Sequence, residues 1–356
     1  METVWFCLVA LVLTMYVVLD GFDLGAGAIH LLVAKTEEER RLALRAIGPV
    51  WDGNEVWLLV AAATLFFAFP ALYASAFSGF YLPLMIILWL LILRGIAIEF
   101  RNHIQSPAWT PLWDTVYSGA SGLLIIFFGT ALGNVVRGVS LDENGRFFTP
   151  LWTNLRPGPD PGVMDWYTLS VGATALFALA MHGALWLNLK TRSDLQARTQ
   201  RMAMAAWAGT GILTAIITFM TFRIQPQVAA NMTAHPWGWM FPLLAMAGWI
   251  GVRLFLRSDR ELPAFLASCG YIMGMMSSVA FGLYPYVLPA IAGQGTSLTV
   301  TNTAAPAGGL QMALIWWIPG MLLATGYAIF VYHHFAGKVS TETDGSTSRR
   351  EPAPQD

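Results

Sequence analysis

From residue 4 to residue 335 the chain keeps returning to apolar runs of twenty or more residues, and that recurrence leaves it few folds to adopt. Hydrocarbon offers no water to satisfy backbone N–H and C=O groups, so a segment crossing it must be a helix or part of a closed barrel. About 20 residues at 1.5 Å per residue cover a core of ~30 Å as a helix, whereas barrel strands are about half as long and alternate in polarity. The runs therefore predict an all-α polytopic membrane protein, a single integral domain over 1–336. About nine transmembrane helices are expected, near 4–34, 48–70, 75–99, 113–135, 164–188, 200–221, 237–257, 263–289 and 309–335. The first is too long for an upright crossing and must tilt, kink or project, with Gly21, Gly25 and Gly27 offering a place for a distortion. Residues 337–356 turn polar and read as a disordered cytoplasmic tail.

Composition agrees. Hydrophobic residues make up 56% and charged ones 12%, against roughly 25% charged in soluble domains. A net charge of −1 gives no reason to expect nucleic acid as a partner; membrane lipid is the expected surrounding. Cys7 and Cys269 both fall in apolar runs and provide neither a disulfide framework nor a metal pattern. The N-terminus lacks the basic region and small-residue cleavage site of a signal peptide, so its first run is expected to remain as a helix.

Nine spans place the loops after helices 1, 3, 5 and 7, with the C-terminus, on one side. Of the 20 Lys and Arg, only Arg137, Arg146, Arg156 and Arg223 fall opposite, and Arg94 lies within helix 3. The positive-inside rule then puts the N-terminus outside and the C-terminus in the cytoplasm.

Against this background the acids stand out. Asp20-Gly-Phe-Asp23 sits well inside helix 1, and Trp51-Asp52-Gly-Asn-Glu55-Val-Trp57 opens helix 2. A carboxylate in a bilayer costs a few kcal/mol or more, so it pairs, takes up a proton or lines a wet path. Asp20, Asp23, Gly27 and His30 step by three, four and three residues and share one helix face; Asp52 and Glu55 lie one turn apart. Asp20, Asp23, Asp52 and Glu55 are the candidate proton path. Arg94, near the cytoplasmic end of helix 3, is expected to pair with Asp23 or Glu99, and Trp51 and Trp57 to pack or meet a partner.

Simpler roles compete. Asp52 can serve as an anion at a helix N-terminus, favoured by the helix dipole. Arg94 can pair only to hold helices 1 to 3 together. His30 and His333-His334 read as interfacial residues, and His182 as locally hydrogen-bonded. Gly25, Gly27, Gly79 and Gly95 read as packing positions, and the 16 Met are scattered without a metal-binding spacing. No haem attachment motif and no facing His pair at matching depth is visible.

The residues do resemble a known family. Asp20-Gly-Phe-Asp-Leu-Gly-Ala-Gly27, a charged connection, then Gly48-Pro-Val-Trp-Asp-Gly-Asn-Glu-Val-Trp-Leu58 resemble subunit II of cytochrome bd quinol oxidases, including the cyanide-insensitive branch. Phe77-Ser-Gly-Phe-Tyr81, Arg94-Gly-Ile, Gly133-Asn-Val-Val-Arg-Gly138 and Tyr284-Pro-Tyr-Val-Leu-Pro289 extend it. The resemblance implies two four-helix bundles plus a peripheral helix, in a heterodimer with a haem-bearing subunit I. That partner would carry haem b and haem d, or a second type of b haem, while this chain would bind no cofactor except, in some members, a structural quinone. Some members add a small single-helix subunit. The complex would sit in the bacterial inner membrane, oxidise quinol and reduce dioxygen to water with cytoplasmic protons, without pumping. Asp23, Asp52, Trp51 and Arg94 match the family's notable polar positions. A proton-coupled transporter and a purely structural assembly subunit remain alternatives; the first would favour paired inverted repeats, which are not visible here.

Overall fold

The computed structural model describes residues 1–104, 106–291 and 295–339. Among them, twelve α-helices follow one another: α1 (Glu2–Val33), α2 (Glu37–Ile47), α3 (Trp51–Ala68), α4 (Pro70–Gly79), α5 (Tyr81–Phe100), α6 (Trp109–Arg137), α7 (Trp166–Lys190), α8 (Ser193–Ile224), α9 (Pro226–Ala234), α10 (Met240–Arg257), α11 (Glu261–Leu283) and α12 (Ala307–His334). Among the described residues eight helices are long and apolar enough to cross a membrane. The pair α2–α3, bent by 46°, supplies a ninth candidate span. The chain is an all-α polytopic membrane protein.

Packing divides the spans into two groups of four. In the first, α3 and α6 pack on α1, and α5 packs on α6; in the second, α7, α8, α10 and α11 pack in turn. Contact between α1 and α7 joins the groups. That seam depends on glycine: a Cβ on Gly25 would stand 1.8 Å from the Leu179 carbonyl oxygen, and one on Gly183 2.1 Å from the Ala26 nitrogen. Lipid provides no hydrophobic drive between helices, so backbone approach of this kind, with its van der Waals contact, holds them together. Beside it Phe22 stacks on Trp186 at 4.1 Å, and Trp186 Nε1 donates to the Ala46 carbonyl at 2.9 Å.

The last helix stands apart. Only Leu310 of α12 is buried, and the helix lies along α1 and α3 with its start beside Trp5 and its end beside Asn54.

Four boundaries differ from the sequence reading. The charged connection 35–47 is the amphipathic helix α2, capped by Thr36 and Glu39 and burying Ala43, Leu44, Ala46 and Ile47. Span 75–99 begins only at Tyr81, because Pro70 starts a separate helix that stops at Gly79. Span 263–289 ends at Leu283: Pro285 and Pro289 cannot extend it, and Tyr286–Leu288 instead pairs antiparallel with Leu298–Thr299. The tail does not begin at 337, since Val339 N donates to the Lys190 carbonyl at 2.8 Å and Lys338 Nζ to that of Thr191 at 2.9 Å. Its remainder, 340–356, lies outside the described residues.

Candidate functional site

The acidic site forms where α1, α3 and α5 meet, in the half of the first bundle nearer α2. Asp20, Asp23 and Arg94 are each 0% exposed. Arg94 Nη2 donates to Asp20 Oδ1 at 2.8 Å and Nη1 to Asp20 Oδ2 at 3.4 Å, a two-pronged grip. Glu55 Oε2 lies 3.6 Å from Arg94 Nη1. Trp51, one turn before Glu55, roofs the guanidinium, with its ring centroid 6.0 Å from the Arg94 Cζ. Desolvated charges survive at this depth only by such mutual compensation.

Arg94 therefore pairs with Asp20 and Glu55, not with Glu99 or Asp23 as expected. Five residues along a helix turn a side chain by about 140°, so Glu99 points away from the face that carries Arg94. It lines a surface groove with Glu37, Arg41, Arg45 and Arg101.

Asp23 is held differently. Asn54 Nδ2 donates to its Oδ2 at 2.6 Å and to the Leu19 carbonyl at 3.1 Å. Tyr332 Oη in turn donates to Asn54 Oδ1 at 2.8 Å. The second oxygen, Asp23 Oδ1, is buried without a hydrogen-bond partner among the described residues, as is Arg94 Nε. A buried oxygen in that condition calls for a proton or a water. One carboxyl with a donor on one oxygen and nothing on the other, one helical turn from a gripped Asp20, can change protonation without breaking an ion pair of its own.

Asp52, in the first turn of α3, is exposed, while Asn54 is buried and Glu55, one turn on, is half-buried. The structure thus brings Asp20, Asp23, Glu55 and Arg94 together and leaves Asp52 at the outer margin. Trp57 is buried in a cluster with Val12, Tyr16 and Ala61, against Trp317 and Met321 of α12, so it packs inside this chain.

A second polar knot closes the α2 end of the bundle. Asp114 accepts from Arg101 Nε at 2.5 Å, Arg101 Nη2 at 3.2 Å and Arg40 Nη1 at 3.2 Å, and His30 Nε2 lies 3.1 Å away. Glu37 takes the remaining reach of Arg101 at 3.0 Å. His30 thus leaves the Asp20–Asp23 group despite sharing their helix face. Asp114 and Asn54 are among the residues that sequence reasoning misses. Asp114 stands at the edge of an apolar run, where an acid draws no notice, and Asn54 carries no charge.

Both buried histidines are held by neighbours within the chain. His182 Nδ1 lies 2.7 Å from Ser268 Oγ and its Nε2 2.9 Å from the Val18 carbonyl, with the ring stacked on Phe265, and His30 is committed to Asp114. Among the described residues no group of three or more His, Cys, Asp or Glu is placed to hold a metal ion.

With this geometry in view, comparison with known proteins is specific. The family model for cytochrome bd terminal oxidase subunit II matches residues 1–335. A probable cytochrome oxidase subunit 2 from Haemophilus influenzae is 29% identical, with 94% of each chain covered. The cytochrome bd-I ubiquinol oxidase subunit 2 of Escherichia coli K12 is 26% identical with 95% of each chain covered. The cytochrome bd ubiquinol oxidase subunit 2 of Bacillus subtilis is 28% identical with 96% and 97% covered. In fold, a chain of the bd oxidase from Geobacillus thermodenitrificans superposes with a TM-score of 0.72 at 16% identity, over 94% of this chain and 98% of that one.

Proposed function

This chain belongs to the cytochrome bd terminal oxidase subunit II family, and from that membership and its buried acids we propose that it conducts cytoplasmic protons to an oxygen-reducing partner. As a subunit of a cytochrome bd oxidase it is part of an oxidoreductase complex of the bacterial inner membrane. In this reading it is the haem-free member of a heterodimer; haem b and haem d, or a second b-type haem, belong to the partner and supply the redox chemistry. Quinol gives electrons, dioxygen takes them with cytoplasmic protons to form water, and membrane potential develops without pumping. The chain also steadies the partner and contributes to dioxygen access. The Lys and Arg distribution supports an outside N-terminus and a cytoplasmic C-terminus.

The observation that carries the proposal is the half-satisfied Asp23 carboxyl, buried beside a compensated Asp20–Arg94 pair. Asp52, exposed near the α2 end, collects protons; Glu55, one turn further, passes them inward; Asp23 Oδ1 accepts and releases them. Arg94, gripped by Asp20, sets its guanidinium beside Asp23. A purely structural role is favoured by one observation, the Arg94–Asp20 clasp between α1 and α5, which serves both readings.

The test is Asp52→Asn in the purified complex. Oxygen consumption per haem should fall while haem content and haem reduction by quinol stay near wild type. Wild-type oxygen consumption across the pH range would reduce Asp52 to an anion at a helix N-terminus.

A further inference from the structure

Although α12 buries little of itself, one of its side chains reaches the acidic site. Tyr332 Oη donates to Asn54 Oδ1 at 2.8 Å, and the same amide donates through Nδ2 to Asp23 Oδ2 at 2.6 Å. A primary amide has a donor end and an acceptor end. With Tyr332 donating to the oxygen, the amino group faces Asp23 and the Leu19 carbonyl, which both accept. Turned over, the amide would set its oxygen against the carboxylate, an arrangement tolerable only when Asp23 carries a proton. The Leu19 carbonyl, which only accepts, fixes the amino end on this side, and the phenol, donating to the amide oxygen, holds the amide where that amino group reaches Asp23.

Tyr332 is itself held from two directions. Its ring meets Trp186 edge-on at 6.0 Å and Phe22 at 6.4 Å. Just beyond it the chain is clamped to the ends of α7 and α11. Lys190 Nζ donates to the Phe335 carbonyl at 2.7 Å, and Lys338 Nζ pairs with Glu261 Oε1 at 2.8 Å. A helix otherwise loosely attached is pinned at the turn that carries the phenol.

We propose that Tyr332 is a positioning residue for Asp23, acting through the Asn54 amide. The proposal rests on reading Asp23 as a proton carrier. Other titratable or charged groups facing Asp23 are Asp20 on α1, Glu55 on α3, Arg94 on α5 and Tyr117 on α6. None of them touches the Asn54 oxygen, so the Tyr332 effect is separable from theirs.

The experiment uses the purified oxidase carrying Tyr332→Phe, with oxygen consumption per haem followed against pH. The profile should move toward higher pH by about half a unit or more, about threefold in proton concentration, with an unchanged KM for quinol. Asn54→Ala, which removes the donor itself, should reproduce the displacement, and the double variant should add nothing. In an Asp23→Asn background Tyr332→Phe should have no effect. A profile coincident with wild type, or an equal displacement in the Asp23→Asn background, overturns the positioning role. A wild-type rate in Asp23→Asn alone counts instead against the proton-carrier reading, and that variant is measured before Tyr332 is altered. Rates taken per haem read only the assembled fraction, so lowered assembly changes none of these outcomes.

Discussion

Arg94 Nη2 sits 2.8 Å from Asp20 Oδ1, with both side chains fully buried and 74 residues apart in sequence. The pair ties α5 to α1 and puts the guanidinium beside Asp23, whose Oδ1 is buried without a partner among the described residues. Breaking such a pair by removing one member typically costs ~3–5 kcal/mol, because the other charge is stranded. Arg94→Ala should therefore reduce the yield of assembled complex more than it changes turnover per haem. Glu99→Gln should do neither. Yield and thermal stability measured on both variants check this, and a normal yield for Arg94→Ala would mean the pair is dispensable.

The α1–α7 seam makes an independent prediction. A Cβ at Gly25 would overlap the Leu179 carbonyl at 1.8 Å, and backbone does not give way as a flexible side chain does. Overpacking usually costs about 1–3 kcal/mol, and here separation of two helices adds to it. Gly25→Ala should lower the folded fraction recovered in detergent and Gly25→Val should nearly abolish it. Gly53, whose Cβ meets nothing within 4 Å, provides the control: Gly53→Ala should be tolerated. Equal recovery of the Gly25 and Gly53 variants would contradict the packing.

How much of this is legible in the sequence depends on what each residue advertises. Asp20, Asp23 and Glu55 are visible because charge inside an apolar run is costly, and helical spacing puts the first two on one face. The partner of Arg94 is not, since no local rule spans 74 residues; the nearest acid in sequence, Glu99, points elsewhere. Asn54 escapes notice because a neutral amide in a membrane carries no alarm, yet it holds Asp23. The α2 helix is signalled by Thr36-Glu-Glu-Glu39, a capping box, followed by apolar residues at helical spacing. Its charge content makes it read as a loop. The end of α11 is written in Pro285 and Pro289, but a continuous apolar composition masks them.

In the charged first turn of the amphipathic α2, ahead of the apolar helix α3, Glu39 gives a pH signature. Partial burial works against its charge, but the amides of Lys35 and Thr36 and the Arg198 guanidinium outweigh it and hold the carboxyl below its ordinary value. A carboxylate depressed on folding contributes stability above its unfolded-state pKa and loses it as pH falls through the folded-state value. Glu39→Gln should lower Tm by a few degrees at neutral pH, and the gap to wild type should close below about pH 4. A gap that stays constant as pH falls would assign the effect to packing alone.

That buried acids of this chain feed protons to the oxidase is tested most directly at Asp23. Asn in its place keeps the shape and can still meet the Asn54 amide, but it cannot ionise. The measurement is oxygen consumption per haem, driven by quinol, in a purified Asp23→Asn complex that retains full haem content and normal haem reduction. Turnover should drop about tenfold or more, the scale on which positioned proton transfer contributes to rates, with membrane potential in proteoliposomes falling in step. Wild-type turnover and membrane potential in that variant would contradict proton conduction through Asp23 and leave the chain a structural partner.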